Sequence, residues 1–144
     1  MWGQFAVMGV VLALGFGPPH WPHGAHAALS AVGVTLAVAG GGIAVWSSRL
    51  LGRGFTPYPK PLPAGKLIGA GPYRVVRHPV YAGGLLFFIG YSLYASVPAL
   101  VATGALTGVW ARKARVEERY LRERFPEYEQ YAERVRFRLV PFVY

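Results

Sequence analysis

The run VYAGGLLFFIGYSLYASVPALVATGALTGVW, residues 80–110, decides the fold: it holds 31 residues without one charged side chain. A single helix of that length would extend about 45 Å, against a bilayer core of ~30 Å. Ser96-Val97-Pro98 lies near its middle. Pro98 suits a turn or a helix start, because proline fixes φ and lacks an N–H donor. The run therefore reads as a helical hairpin, with spans at about 79–95 and 98–112. Two apolar blocks precede it. Residues 2–16 are uncharged and stop at Gly17-Pro18-Pro19. Ala25-His26-Ala27 resembles a signal-peptide cleavage site, but the positive n-region of a signal peptide is missing, so the block reads as a first span. Residues 27–51 form a second span, with Gly33 and Gly40 seven residues apart on one face. Small residues there let membrane helices approach closely. His20, Trp21, Pro22, His23 and His26 read as an outside loop, with no carboxylate or spacing that suggests a metal.

Composition agrees. The chain has 144 residues, 53% of them hydrophobic, and a mean hydropathy of +0.33. That is too apolar for an ordinary soluble domain and fits one compact membrane domain over 1–144. There is no cysteine, hence no disulfide and no thiolate site. No Lys or Arg precedes Arg49; all fifteen fall in two groups, Arg49 to Arg77 and Arg112 to Arg138. Basic loops stay in the cytoplasm, and both groups share one side only if residues 80–110 turn back. Four spans then leave both termini and every cation cytoplasmic. Charge that flanks apolar spans this closely points to the bilayer and not to nucleic acid. The expected fold is all-α: a polytopic protein with about four transmembrane helices, a cytosolic helix and a tail over 111–144. Pro57, Pro59, Pro61 and Pro63 alternate in an extended strap before the third span. Pro126 is expected to break the cytosolic helix.

Between the second and third spans lies Leu67-Ile68-Gly69-Ala70-Gly71-Pro72-Tyr73-Arg74-Val75-Val76-Arg77-His78-Pro79. Gly69 and Gly71 let the backbone turn sharply and approach a ligand. Pro72 and Pro79 disfavour helix in the residue before each, and Pro79 suits the first turn of the next helix. Residues 67–78 thus read as an ordered loop. Its amides, with Arg74, Arg77 and His78, suit an anionic or zwitterionic small molecule; contact with lipid phosphates is the competing reading. Glu117 and Glu118 follow the last span, where an unpaired carboxylate costs desolvation. Salt bridging to Arg112, Arg115 or Arg122 is the ordinary role for one of them. The other would bind an ammonium or ribose hydroxyls. Arg134 either anchors to lipid or grips a substrate carboxylate or phosphate. No nucleophile-base arrangement, phosphate loop or zinc pattern occurs. A site here would position reactants and form no covalent intermediate.

Gly71-Pro72-Tyr73-Arg74-Val75-Val76-Arg77-His78-Pro79-Val80-Tyr81-Ala82-Gly83 resembles the signature of the isoprenylcysteine carboxyl methyltransferase and phospholipid methyltransferase superfamily. Glu117-Glu118, Leu121, Phe125, Glu127-Tyr128, Tyr131, Arg134-Val135 and Pro141 match its second block. The resemblance covers about Leu67 to Pro141. It implies an integral membrane enzyme that uses S-adenosylmethionine and releases S-adenosylhomocysteine. It associates Gly69, Gly71, Tyr73, Arg77, His78, Tyr81, Glu117 and Glu118 with the cofactor pocket, and Arg134, with His78, with catalysis on a lipidic acceptor's carboxylate. This chain departs from many relatives, which carry a further span, and in the spacing before Pro141. A phospholipid amine as acceptor is the alternative within the superfamily. A non-catalytic module that binds anionic lipid is the alternative outside it.

Overall fold

The computed structural model describes residues 3–16, 21, 23–58 and 65–141; of His23 and Arg53 it describes the backbone only. Every regular element among them is helical: α1 (Gly3–Ala13), α2 (His23–Leu51), α3 (Pro79–Ala95), α4 (Val97–Arg124) and α5 (Tyr128–Arg134), with 3-10 turns at Gly52–Gly54 and Gly71–Arg74. The chain forms two compact units. One takes residues up to Gly42 together with Gly83–Trp110; the other takes Ile43–Ala82 and Ala111 onward.

In the first unit, α2 and α3 pack through glycine. A Cβ on Gly33 would strike the Gly90 carbonyl, and one on Gly40 would strike Gly83 and Phe87 backbone. A Cβ on Gly90 would in turn meet Gly33 and Ala37. The contact positions rise along α2 as they fall along α3, so the helices run antiparallel with their backbones in contact. The seven-residue spacing of Gly33 and Gly40 thus serves helix packing.

The hairpin turns at Ser96. Its hydroxyl accepts from the Ala99 amide (3.3 Å) and donates to the Leu14 carbonyl (3.1 Å). That is the N-cap of α4, with Pro98 in the first turn where its missing N–H is harmless. Ser92 and Thr103 hydroxyls meet across the hairpin at 2.8 Å. Trp110 lies edge-on to Phe88 and over Gly84, where a Cβ would be only 2.8 Å from its ring. The Tyr91 hydroxyl donates to the Leu12 carbonyl at 2.7 Å, tying down the end of α1. Val11, Leu85, Phe88, Ala99, Leu106 and Trp110 are buried.

The second unit surrounds Tyr73, Val76, Tyr128, Tyr131, Val135 and Leu139, all buried. Leu67, Leu121 and Phe125 pack against the Tyr128–Tyr131–Val135 cluster. Gly71 has φ +57°, and a Cβ there would be 3.0 Å from Leu50 and 3.1 Å from Trp46. Both conformation and space therefore require glycine.

Several boundaries differ from the sequence reading. α1 ends at Ala13; its 11 residues make about three turns, so the helix within 2–16 is short. α2 begins at His23, so His23 and His26 belong to a helix and not to a loop. The fourth span and the cytosolic helix are one uninterrupted helix, α4, because neither Gly nor Pro occurs between Val109 and Phe125. The break comes at Phe125–Glu127 around Pro126, as the sequence implies. α3 occupies 79–95 as expected. Trp2, Gly17 to His20, Pro22, the prolines at 59, 61 and 63, and residues 142–144 lie outside the described residues. Among the described helices, the Gly24–Leu51 part of α2 is long and apolar enough to cross a membrane; α1 and α3 are shorter apolar helices.

Gly90→Leu should lower thermal stability in detergent by about 1–3 kcal/mol or abolish folding, since backbone cannot move aside as a side chain can. Gly42→Leu, with nothing within 4 Å of the added Cβ, should unfold at the wild-type temperature.

Candidate functional site

The second unit gathers most of the residues that sequence singles out. Pro79 opens α3 and closes the loop at His78, so Arg77 and His78 stand at the helix start with Tyr81 one turn on. Two adjacent glutamates on α4, Glu117 and Glu118, face them. Arg77 Nε donates to Glu118 Oε1 at 2.8 Å. His78 sits between the two carboxylates: Nδ1 is 3.4 Å from Glu117 Oε2, and Nε2 is 3.3 Å from Glu118 Oε1. Tyr81 donates its hydroxyl to Glu117 and stacks on the His78 ring.

The two glutamates differ. Glu118 is 1% exposed and meets three cations at once: Arg77, His78 and Arg138. Arg138 takes both its oxygens, Nε to Oε1 and Nη2 to Oε2, each at 3.0 Å. Arg122, one turn along α4, approaches to 3.8 Å and pairs more closely with Glu129 at 2.7 Å. Glu117 meets Tyr81 and His78, with the charge of Lys113 acting on it as well, and stays partly open to solvent. So Glu118 takes the salt-bridging role, and Glu117 is the more accessible of the two carboxylates.

The tail completes the cluster. Residues 135–139 fold back over the loop: the Arg77 amide donates to Phe137 O (2.9 Å) and the His78 amide to Arg138 O (3.0 Å). Arg77 Nη1 donates to the Val135 and Arg136 carbonyls, both at 2.9 Å.

These contacts set the charge states. Burial works against an ionised Glu118, but hydrogen bonds from His78, Arg138 and Arg77, with the charge of Arg77, hold its carboxyl well below the usual carboxylate range. Burial likewise opposes an imidazolium at His78, yet Glu117 and Glu118 outweigh it and raise its pKa. Burial pushes the Tyr73 phenol up, with Tyr131 and Glu117 adding to it. Burial also carries Tyr131 up to about 12. Neither phenol is a base at neutral pH.

Tyr73, expected at the pocket, points its hydroxyl at the Ser47 carbonyl (3.4 Å), while its own carbonyl accepts from Tyr131 (2.8 Å). Its role in the geometry is to anchor the loop. Gly69 is exposed, with the Tyr131 ring 3.7 Å from where a Cβ would lie. Gly71 is turned against Trp46 and Leu50. Arg134 ends α5 and is exposed; it does not touch the glutamate pair. Sequence reading missed Arg138. In sequence it alternates with Arg134 and Arg136, and nothing local separates it from exposed Arg136. No group of His, Asp and Glu among the described residues could hold a metal ion.

Glu118→Gln should cost about 3–5 kcal/mol, because Arg77 and Arg138 would remain buried without a counter-charge. Stability should also fall on both sides of neutrality. Glu118 has a lowered folded pKa, so its contribution is complete above its ordinary 4.5 and fades as pH drops through the lower value. His78 has a raised one, so its contribution is complete below 6.5 and fades as pH climbs through the higher value. Thermal unfolding in detergent across pH should lose its acid limb in Glu118→Gln and its alkaline limb in His78→Asn.

Residues 29–128, more than half of the chain, match the family model described as phospholipid methyltransferase. Similar proteins include a probable protein-S-isoprenylcysteine O-methyltransferase of Oryza sativa subsp. indica, 37% identical over 54% of this chain and 42% of the relative. Protein-S-isoprenylcysteine O-methyltransferase B of Arabidopsis thaliana is 37% identical over 54% of this chain and 41% of its own length. A cobalt-zinc-cadmium resistance protein of Cupriavidus metallidurans is 37% identical over 47% of this chain and 32% of the relative. The chain thus spans less than half the length of these relatives. With Arg77, His78 and Tyr81 of one motif block meeting Glu117 and Glu118 of the other, and the family model matched across most of the helical framework, this chain belongs to the phospholipid methyltransferase family.

Proposed function

We propose that this chain is an integral membrane methyltransferase that uses S-adenosylmethionine and acts on a lipidic acceptor, with a carboxylate as the favoured methyl acceptor. The observation that carries this reading is the contact set joining Arg77, His78 and Tyr81 to Glu117 and Glu118.

Membrane residence is supported by the apolar surface. Val38 on α2 is 72% exposed and Val101 on α4 is 71% exposed, and Val32, Val45 and Trp46 are exposed too. Such a surface is unfavourable in water and neutral in hydrocarbon. The positions of the cations support four spans with the termini and the site on the cytoplasmic side.

The donor set fits the cofactor. S-adenosylmethionine, when bound, supplies an electrophilic methyl group carried on a sulfonium. Glu117 would hold its ammonium or ribose hydroxyls, with Tyr81 and His78 keeping the carboxylate in place. Exposed Gly69 and Ala70 allow a nucleoside to lie close to backbone. Such a site works chiefly by alignment and exclusion of water.

The acceptor follows from proton bookkeeping. Both nitrogens of His78 face carboxylates, an arrangement that favours the doubly protonated ring and makes it a poor proton acceptor. The buried tyrosines stay protonated. An ammonium acceptor must shed a proton before it attacks, whereas a carboxylate attacks as it is. Exposed Arg134 is the cation assigned to that acceptor carboxylate. The names of the rice and Arabidopsis relatives point to the same O-methyl chemistry. The phospholipid amine alternative retains Glu117 as the group that would accept the proton.

Calorimetry on the detergent-solubilised chain should detect micromolar binding of S-adenosylhomocysteine, weakened about tenfold but still measurable in Glu117→Gln and lost in His78→Ala. An anionic-lipid module would bind no S-adenosylhomocysteine. Membranes incubated with labelled methyl donor should carry base-labile label, as methyl esters do. Base-stable label would assign the acceptor to the amines and remove the Arg134 role.

A further inference from the structure

We propose that Arg138 is a positioning residue, which fixes the plane of the Glu118 carboxylate and, through His78, the orientation of Glu117. The part that concerns ligand affinity rests on the function proposed above.

Arg77 and Arg138 do different work on Glu118. Arg77 spends Nη1 on the Val135 and Arg136 carbonyls and reaches Glu118 through Nε. One contact leaves a carboxylate free to rotate about its terminal torsion. Arg138 grips both oxygens, and a two-point contact stops that rotation. With the plane fixed, Oε1 lies where His78 Nε2 meets it, and the imidazole turns its other nitrogen to Glu117. Tyr81 stacks on the same ring and donates to the same glutamate. Arg138 holds His78 a second way, since its carbonyl accepts the His78 amide. One tail residue thereby sets both the backbone and the ring partner of His78. The chain Arg138–Glu118–His78–Glu117 runs from the buried Glu118 to the partly exposed carboxylate that would meet a ligand's ammonium.

The test uses the full chain in detergent with Arg138→Met and Arg138→Lys. Lysine keeps the charge and the backbone contact but loses the fork. The first readout needs no ligand: water exchange of the Arg77 Nε–H proton by NMR. It should be slow in the wild type and about tenfold faster or more in Arg138→Lys, since a loosened carboxylate no longer protects it. Unchanged exchange overturns the proposal. The second readout is S-adenosylhomocysteine affinity. It should weaken about tenfold or more in both variants, as outer-shell changes do. In a Glu117→Gln background, the same substitutions should change it by less than about twofold. Wild-type affinity in Arg138→Lys, or an equal loss with and without Glu117, overturns the proposal by reducing Arg138 to a charge or a fold element. If the wild type binds no S-adenosylhomocysteine, the proposed function fails, and the Arg77 proton alone decides the role of Arg138. Arg138→Lys carries the test if Arg138→Met does not fold.

Discussion

A carboxylate with 1% exposure stands at the centre of the second unit, and its neighbours are arranged to make that tolerable. An ionised group taken out of water loses several kcal/mol of solvation, regained only through close, well-directed partners. Glu118 has Arg77, His78 and Arg138 within hydrogen-bonding range, drawn from the loop before α3 and from the tail after α5. Segments far apart in sequence are thus held to α4 by one charge. The tail lies where it does because Arg77 and His78 also offer it backbone and side-chain donors.

The same arrangement divides labour between two adjacent glutamates. Consecutive residues on a helix point about 100° apart, so Glu118 turns into the cation cluster while Glu117 remains partly solvated. His78 links them, and their carboxylates raise its pKa. The site therefore carries its positive charge in fixed places and leaves one carboxylate to present outward. On the function proposed above, it would hold and orient a zwitterionic ligand.

In the first unit a different constraint rules. Gly33, Gly40, Gly83 and Gly90 bring the α2 and α3 backbones into contact, and small hydroxyls close the α3–α4 hairpin. Large apolar side chains such as Val38 and Val101 are consequently left on the outside. Small residues within and large ones without is the packing of helices in lipid, where association rests on close approach and not on expulsion of water.

Much of this was legible in the residues. The uncharged run split at Ser96-Val97-Pro98, the proline start of α3, the break at Pro126 and the shared face of Gly33 and Gly40 are local signals, set by proline's missing N–H and glycine's missing Cβ. The motif pairing of Arg77, His78 and Tyr81 with Glu117 and Glu118 was readable as resemblance. Helix boundaries at His23 and across Trp110 were not, since hydropathy marks where a chain is apolar and not where its hydrogen bonds continue. Nor could spacing tell Arg138 from Arg136, or Glu118 from Glu117. Sequence alone determined which groups carry charge and where the chain must turn. Only the tertiary structure decided which charge is buried against which, because the worth of a buried ion pair depends on distances between segments that no local rule relates.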